Sequence, residues 1–277
     1  MIFSIAILVQ RLRLWLIWVI WTSEMFYYSL VRFRFFWLGL RGREEEINAI
    51  KTRLVAKWMG KIIGRLHCRI EVEGREHVPQ TGPLVVMSNH QSMYDIPLLM
   101  AQMGRMVGFV AKKELFHIPG FSYWMREIGS VNLDRSNPRA ASRMFKEVAA
   151  QMKEKGSALV LFPEGTRSRH PEGELSPFKD GSLRLPQQGG IPILPVSIDG
   201  TRFFSKPEAV MATARGGRVV RIRIAPVMVP DPEANARERK EFMARLRETI
   251  EGNFQKIRVH WPDFQGEDSA TDHKGGK

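Results

Sequence analysis

The sequence predicts an α/β fold, in which helices flank a mixed, largely parallel sheet and an N-terminal membrane-associated two-helix hairpin precedes it. Short apolar runs alternate with helical stretches over most of the chain, which is typical of such sheets. Residues 1–40 are much richer in apolar and aromatic side chains than the rest. The length, 277 residues, suits one substantial domain with an appendage and is short for two full domains.

Residues 1–43 are predicted to anchor the chain to a membrane. Neither apolar stretch in this segment reaches about 18 uninterrupted apolar residues, the length that indicates a spanning helix. Their aromatic rings and arginines suit the headgroup region. Three interpretations stay open: an interfacial hairpin in one leaflet, a tilted span followed by an interfacial helix, or two soluble core helices. We expect the hairpin, because so much exposed aromatic surface would promote aggregation of a soluble protein.

Residues 44–264 are predicted to form the α/β domain, and residues 265–277 a disordered polar tail. A first helix is indicated by apolar side chains at helical spacing from Ile47 to Leu66. Further helices are expected at Met93 to Met103, Pro138 to Lys155 and Ala236 to Gln255. Strands are expected at Ile70 to Val72, Leu84 to Ser88, Val107 to Ala111, Ser157 to Phe162, Ile193 to Ile198 and Val219 to Ile224, with a short strand before Asp134.

The formal net charge is +13, so the partners are expected to be anionic. Nucleic acid, anionic lipid and an acidic carrier protein all meet that condition, and charge alone does not distinguish them. The single cysteine, Cys68, excludes an intramolecular disulfide and is expected to be a buried apolar residue, although a nucleophilic role is an alternative.

The segment from Asn89 to Asp95 follows an apolar strand and holds a histidine and a carboxylate in a His-x4-Asp pattern. His90 in the turn and Asp95 in the first helical turn beyond it would bring a general base next to a group that orients it. The alternative is structural: Ser92 as N-cap and Asp95 would form a capping box, leaving His90 an incidental loop residue. No histidine or cysteine lies at the spacing of a metal site, so we expect no metal and no cofactor.

Three further strand ends carry polar residues. Glu164, Gly165, Thr166 and Arg167 follow one strand, and glycine with a bidentate arginine suits a phosphate. An ordinary turn with a surface arginine is the alternative. Arg135 is a second candidate phosphate ligand, or else a partner of Asp134 or Asp180 in a surface salt bridge. Lys112 follows another strand. The strand ends should share one edge of the sheet, where ligands of open α/β sheets bind.

The sequence resembles the 1-acylglycerol-3-phosphate O-acyltransferase family of the glycerolipid acyltransferase superfamily. The resemblance rests on four blocks in the family's order, and together with Pro177 to Gly181 they span residues 83–200. The blocks are Asn89 to Asp95, Gly129 to Arg135, Phe162 to Ser168 and Ile191 to Ser197.

The resemblance implies that His90 is the general base and Asp95 holds its imidazole, with Arg135, Glu164, Gly165, Thr166 and Arg167 at the phosphate site of the acceptor. Lys112 is a candidate for stabilising the oxyanion. The implied reaction moves an acyl group from acyl-ACP or acyl-CoA to the sn-2 hydroxyl of 1-acylglycerol 3-phosphate, at the cytoplasmic face of the inner membrane. Anionic membrane lipid is an expected partner and nucleic acid is not.

Other functions stay open. The same chemistry could serve glycerol 3-phosphate or another lysophospholipid as acceptor. The positive charge also suits a membrane-tethered nucleic-acid-binding protein, although the aromatic residues cluster at the N-terminus and do not interleave with a basic face. A catalytically silent lipid-binding relative is a third alternative, which the intact pair of His90 and Asp95 disfavours.

Overall fold

The computed structural model describes residues 30–118, 121–133, 138–168, 174–204 and 219–258, with six isolated positions between residues 15 and 27. The predicted tail at 265–277, Arg135 and most of the predicted hairpin therefore lie outside the described residues.

Seven strands and six α-helices have both ends in the described residues, and residues 30–40 form a further helical segment. The strands are β1 (Arg69–Glu73), β2 (Leu84–Ser88), β3 (Val107–Lys112), β4 (Val131–Leu133), β5 (Ala158–Leu161), β6 (Ile193–Asp199) and β7 (Val219–Ile224). The helices are α1 (Glu44–Gly64), α2 (Asp95–Gln102), α3 (Phe121–Glu127), α4 (Pro138–Lys155), α5 (Arg184–Gly189) and α6 (Ala236–Lys256).

The strands form one sheet in the order β1-β7-β6-β2-β5-β3-β4. From β6 to β4 the neighbours are all parallel, whereas β7 runs antiparallel to β6 and parallel to β1. The predicted mixed, largely parallel sheet flanked by helices is therefore confirmed. The five parallel strands all direct their carboxyl ends to the same edge.

Strand β2 lies at the centre of the sheet between β6 and β5. All five of its residues are buried, as expected for a parallel strand covered on both faces. One face packs in a core with α1, α2 and α3, and the other in a core with α4, α5 and α6. Whatever follows Ser88 therefore starts from a rigid position.

The β1–β7 edge is more polar, because its strands alternate charged and apolar residues. Val219–Ile224 alternates half-buried and buried positions. Arg221 and Arg223 of β7 stand in register with Glu71 and Glu73 of β1, and the two cross-strand ion pairs measure 3.0 and 3.2 Å. Opposite charges across neighbouring strands favour this register over a one-residue slip.

The predicted strands all occur, and Leu84–Ser88 and Val219–Ile224 have the predicted bounds. The helix at Pro138–Lys155 also has its predicted bounds. Two short helices, α3 and α5, were not predicted, because seven- and six-residue helices are too short to show a periodic pattern. Cys68 is only half-buried, so the prediction of a fully buried cysteine was wrong. Its partial burial is enough to raise the pKa of the thiol.

Residues 30–40 are helical and lie against the domain with one face. Phe35 and Leu38 are buried, and the guanidinium of Arg32 lies 4.2 Å from the ring centre of Tyr123 in α3. Among the described residues, no helix combines the length and the apolar character needed to cross a bilayer. The two-helix hairpin stays a prediction.

Candidate active site

The site lies at the carboxyl edge of the sheet, in the loop that leaves the central strand β2. Because β5 and β6 flank β2, the loops that leave these two strands come to either side of the β2 loop. The three loops contribute His90 and Asp95, Glu164 and Ser168, and Thr201. The predicted convergence of strand ends is confirmed for the loops after β2 and β5, whereas the loop after β6 was not among the predicted segments.

Asn89, the first residue after β2, bonds to the neighbouring strand β6 through its side-chain amide. Its amide donates to the carbonyl oxygen of Ile198 and accepts from the N–H of Ile198, at 2.8 Å in both directions. The residue is 1% exposed. These two side-chain hydrogen bonds take the place of backbone pairing where β2 ends, and they fix the direction of the backbone that leads to His90.

His90 and Asp95 meet as predicted. Nδ1 of His90 lies 2.8 Å from Oδ2 of Asp95. The same oxygen accepts hydrogen bonds from the backbone N–H groups of Gln91 and Ser92, at 2.7 and 2.8 Å. Oδ1 of Asp95 accepts from the hydroxyl of Thr201. Asp95 is fully buried, and its four donors supply the hydrogen bonds that a carboxylate loses on leaving water.

The capping interpretation is only partly correct. Tyr94, not Ser92, is the N-cap of α2, and it makes no side-chain capping bond. Oγ of Ser92 accepts from the N–H of Tyr94 at 3.2 Å and the N–H of Ser92 donates to Asp95, so the reciprocal capping box is absent from this turn. Asp95 therefore fixes the turn and contacts the imidazole with the same oxygen.

The hydrogen bond to Asp95 defines the chemistry of the imidazole. With Nδ1–H donated to the carboxylate, Nε2 of the neutral ring carries the lone pair. The side chain of His90 is 15% exposed, so part of it faces the surface. The arrangement suits a general base that accepts a proton at Nε2.

The loop after β5 holds the backbone of His90. The N–H of His90 donates to Oε1 of Glu164 at 2.7 Å, and its carbonyl accepts from the N–H of Ser168 at 2.7 Å. Glu164 is 1% exposed, and its second oxygen accepts from the N–H of Ser176, also at 2.7 Å. Both carboxylate oxygens of Glu164 thus bind backbone, and the residue positions the histidine.

Phe162 supports the imidazole ring itself. The two rings are stacked, with centroids 3.9 Å apart and planes inclined by 12°. Phe162 is half-buried and packs against the α1–α2–α3 core. The imidazole is therefore held at one face by the phenyl ring and at Nδ1 by Asp95.

Glu164 titrates abnormally because of its burial. Removal from water raises the pKa of its carboxyl, and the hydrogen bonds from the N–H groups of His90 and Ser176 partly oppose that change. Glu164, which fixes the backbone of His90, therefore holds its carboxyl proton more tightly than an exposed glutamate does.

Gly165 makes a turn that other residues would strain. Its φ is +71°, and its N–H donates to the carbonyl of Phe162 at 3.0 Å. A Cβ at this position would lie 3.0 Å from Nζ of Lys179, so the lysine side chain crosses directly over the glycine. Thr166 is exposed and Arg167 half-buried beyond this turn.

The remaining predicted substrate ligands are only partly described. Arg135 lies outside the described residues. Lys112 is the last residue of β3, and its side chain lies outside the described part of the structure. The substrate-binding roles of Arg135, Glu164, Gly165, Thr166, Arg167 and Lys112 stay predictions.

Sequence reasoning missed three residues of this site: Phe162, Lys179 and Thr201. Phe162 lies in the block from Phe162 to Ser168 and Lys179 in the segment from Pro177 to Gly181, so the family motifs were the available signal. Thr201 comes two residues after the end of β6, and the polar residue at a strand end was its only signal.

Comparisons with known proteins agree with this geometry. The chain is 36% identical over 134 residues to a chloroplastic 1-acyl-sn-glycerol-3-phosphate acyltransferase of Brassica napus, which covers 48% of this chain and 38% of that protein. It is 28% identical over 198 residues to the 1-acyl-sn-glycerol-3-phosphate acyltransferase of Pseudomonas aeruginosa, covering 70% of this chain and 73% of the other.

The same likeness appears in three dimensions and in a family model. The crystal structure of the 1-acyl-sn-glycerophosphate (LPA) acyltransferase from Thermotoga maritima matches with a TM-score of 0.67 at 28% identity, over 87% of this chain and 95% of that one. The family model described as Acyltransferase matches residues 69–199, which include His90, Asp95 and Glu164. Residues 69–199 therefore match the acyltransferase family.

The chain aligns with less than half the length of its chloroplast relatives, so their activity is not carried over as a whole. The loops after β2 and β5 lie within residues 69–199, the region that the family model matches. Thr201 lies two residues beyond it.

Proposed function

We propose that this acyltransferase moves a fatty acyl group from a thioester donor to the free sn-2 hydroxyl of 1-acylglycerol 3-phosphate, giving phosphatidic acid. The observation that carries the proposal is the contact of 2.8 Å between Nδ1 of His90 and Oδ2 of Asp95. The names of the Brassica, Pseudomonas and Thermotoga relatives support the choice of acceptor.

The chemical step uses His90 as a base and then as an acid. Nε2 takes the proton of the glycerol hydroxyl while that oxygen attacks the thioester carbonyl carbon. The tetrahedral oxyanion collapses, the carbon–sulfur bond breaks, and the thiolate receives the proton from Nε2. An ester and a free thiol result, and no covalent acyl-enzyme is needed. Such general-base help contributes typically about 10²–10⁴-fold in rate.

The acceptor is positioned through its phosphate. Arg167 is half-buried in the loop that holds His90, and Lys179 crosses the neighbouring Gly165. A planar guanidinium suits bidentate binding of a phosphate, and the lysine adds a compact positive charge. Fixing the phosphate in this loop would place the hydroxyl near the imidazole and lower the entropic cost of the encounter. Arg135 is our further candidate for the same phosphate.

The donor is an acyl thioester carried by ACP or by CoA, with Lys112 our candidate for stabilising the oxyanion. Both carriers are anionic, and the net charge of +13 favours the approach of either one.

We also propose membrane attachment at the cytoplasmic face; the lipid nature of the substrates and the exposed N-terminal surface support the attachment. Large apolar side chains of this segment face outward, with exposed fractions from 50% to 70%: Phe26, Tyr27, Leu30, Phe33, Phe36, Trp37 and Leu40. The opposite side packs on the domain through Phe35 and Leu38. A continuous exposed apolar surface of this kind suits burial in the interfacial layer of one leaflet.

The proposal is tested by incubating the purified chain in anionic vesicles with lysophosphatidic acid and either acyl-ACP or acyl-CoA. The expected product is phosphatidic acid, identified by mass, with equimolar free thiol. Glycerol 3-phosphate and uncharged lysophospholipid serve as competing acceptors. Preferred acylation of either competitor, or thiol release without any lipid product, would overturn the choice of acceptor.

The phosphate contact has its own test. Arg167→Ala should raise the KM for lysophosphatidic acid by about tenfold or more while changing kcat less, because a ground-state contact is lost. Arg184→Ala, which removes the same charge from an exposed position in α5, is the matched control and should leave KM unchanged. Equal effects of the two substitutions would show that overall charge, not a contact at Arg167, sets the KM.

A further inference from the structure

A buried polar network links the loop after β6 to the catalytic loop. Oγ1 of Thr201 donates to Oδ1 of Asp95 and lies 3.3 Å from Oε1 of Gln91. The amide nitrogen of Gln91 donates to Oδ1 of Asp199 at 2.8 Å, and Asp199 forms an ion pair with Arg202. Thr201 is 1% exposed and Gln91 is 2% exposed.

The single hydroxyl proton of Thr201 has two acceptors within reach. A carboxylate is the stronger acceptor, so the proton goes to Asp95. Gln91 cannot turn its amide around without placing its carbonyl oxygen against the carboxylate of Asp199. The orientation of the amide is therefore fixed, and the hydroxyl is held between its two neighbours.

A turn that requires glycine delivers this hydroxyl. Gly200 has φ of +100°, and a Cβ there would lie 2.4 Å from the carbonyl oxygen of Val219. Only glycine fits this position, and the turn it makes directs the next side chain toward Asp95. Threonine hydroxyls commonly bond to nearby backbone, whereas this one contacts side chains 106 and 110 residues away in the sequence.

We infer that Thr201 is a positioning residue of the acyl transfer, acting through Asp95 on His90. Three donors bind Oδ2 of Asp95, and Thr201 binds Oδ1. The hydroxyl therefore restricts rotation of the carboxylate about the Cβ–Cγ bond of Asp95. With Oδ1 held, Oδ2 keeps its direction toward Nδ1 of His90. This inference rests on the proposed function for its kinetic effect, although the geometry it concerns exists without substrate.

The test compares three substitutions. Thr201→Val keeps the shape and removes the hydroxyl, and kcat should fall by about tenfold or more while both KM values stay within about twofold. Thr201→Ser restores the hydroxyl and should recover kcat to within about threefold of wild type. Ser197→Ala is the matched control, because this buried hydroxyl of β6 bonds to the backbone of Ile250 at 2.7 Å and not to the site.

A measurement without substrate separates this inference from the proposed function. The Nδ1 proton of His90 should give a downfield NMR signal in wild type and in Thr201→Ser, and should exchange faster with water in Thr201→Val. If wild type makes no phosphatidic acid but the signal behaves this way, the proposed function fails and the positioning role stands. Unchanged exchange and kcat in folded Thr201→Val, or equal losses in Ser197→Ala, would overturn the inference.

Discussion

Glu164 accepts a hydrogen bond from the backbone N–H of His90 at 2.7 Å, although 74 residues separate them in the sequence. The glutamate lies in the block that the family resemblance associates with phosphate binding, and both of its oxygens bind backbone N–H groups. Its carboxylate thus joins the loops after β2 and β5. Three residues of one block, Phe162, Glu164 and Ser168, contact the ring, the N–H and the carbonyl of the histidine.

Glu164→Gln should lower kcat more than it changes the KM for either substrate. The amide offers one acceptor oxygen for two backbone N–H groups, so one donor is left facing an NH₂ group. An unsatisfied buried group costs about 1–3 kcal/mol, and a similar loss of positioning in the transition state would lower kcat by about 10–100-fold. Steady-state kinetics measure it, with exposed Glu174→Gln in the same loop as control. A rise in acceptor KM alone would instead assign Glu164 to the substrate.

The stability of wild type relative to Glu164→Gln should depend on pH. Because burial raises the pKa of Glu164, the folded chain holds this proton more tightly than the unfolded chain. The stability linked to that proton is fully present below the unfolded pKa and is lost as pH rises through the folded pKa. Wild type should therefore lose stability relative to the variant as pH rises across that window.

Urea unfolding of both proteins measures this difference from about pH 4 to about pH 8, a range that begins near the usual pKa of a glutamate. Glutamine does not titrate, so all other groups cancel in the comparison. The difference in unfolding free energy between the two proteins could instead stay constant, or move in favour of wild type with rising pH. Either result would show that the backbone hydrogen bonds outweigh burial in setting the pKa of Glu164.

Gly165→Ala should destabilise the fold, because Gly165 has φ of +71°. The left-handed conformation costs an L-residue roughly 1–2 kcal/mol, and the new methyl group would also displace Lys179. Gly181→Ala is the control, since Gly181 does not have positive φ and a methyl group there would meet no atom within 4 Å. Urea unfolding should show a loss of about 1–2 kcal/mol for the first and under about 0.5 kcal/mol for the second. Equal losses would contradict the conformational explanation.

Much of the fold follows from local pattern. The central strand Leu84–Ser88 is an apolar run that ends in a serine, and Val219–Ile224 alternates, so both strands are recognisable in the sequence. Helices α3 and α5 are too short for periodicity to reveal. The start of α2 was also misplaced, because Ser92 is a good N-cap residue in isolation but Asp95 holds this turn through backbone N–H groups.

The contacts of the site are also of two kinds, local ones that the sequence predicts and long-range ones that it does not. His90 and Asp95 are close in the chain, and a strand end followed by a helix start brings them together. The hydrogen bond from His90 to Glu164 and the hydrogen bond from Thr201 to Asp95 depend on which strands flank β2. Local sequence does not specify that order of strands. Long-range polar contacts therefore had to come from the three-dimensional structure.

The proposed reaction depends on the imidazole of His90 as the base of an acyl transfer to lysophosphatidic acid. The most direct measurement is the rate of phosphatidic acid formation by purified His90→Ala and wild type in the same vesicles, with circular dichroism to verify the fold. The folded variant should form phosphatidic acid at a rate lower by about 10²-fold or more. Turnover within a few-fold of wild type would contradict it.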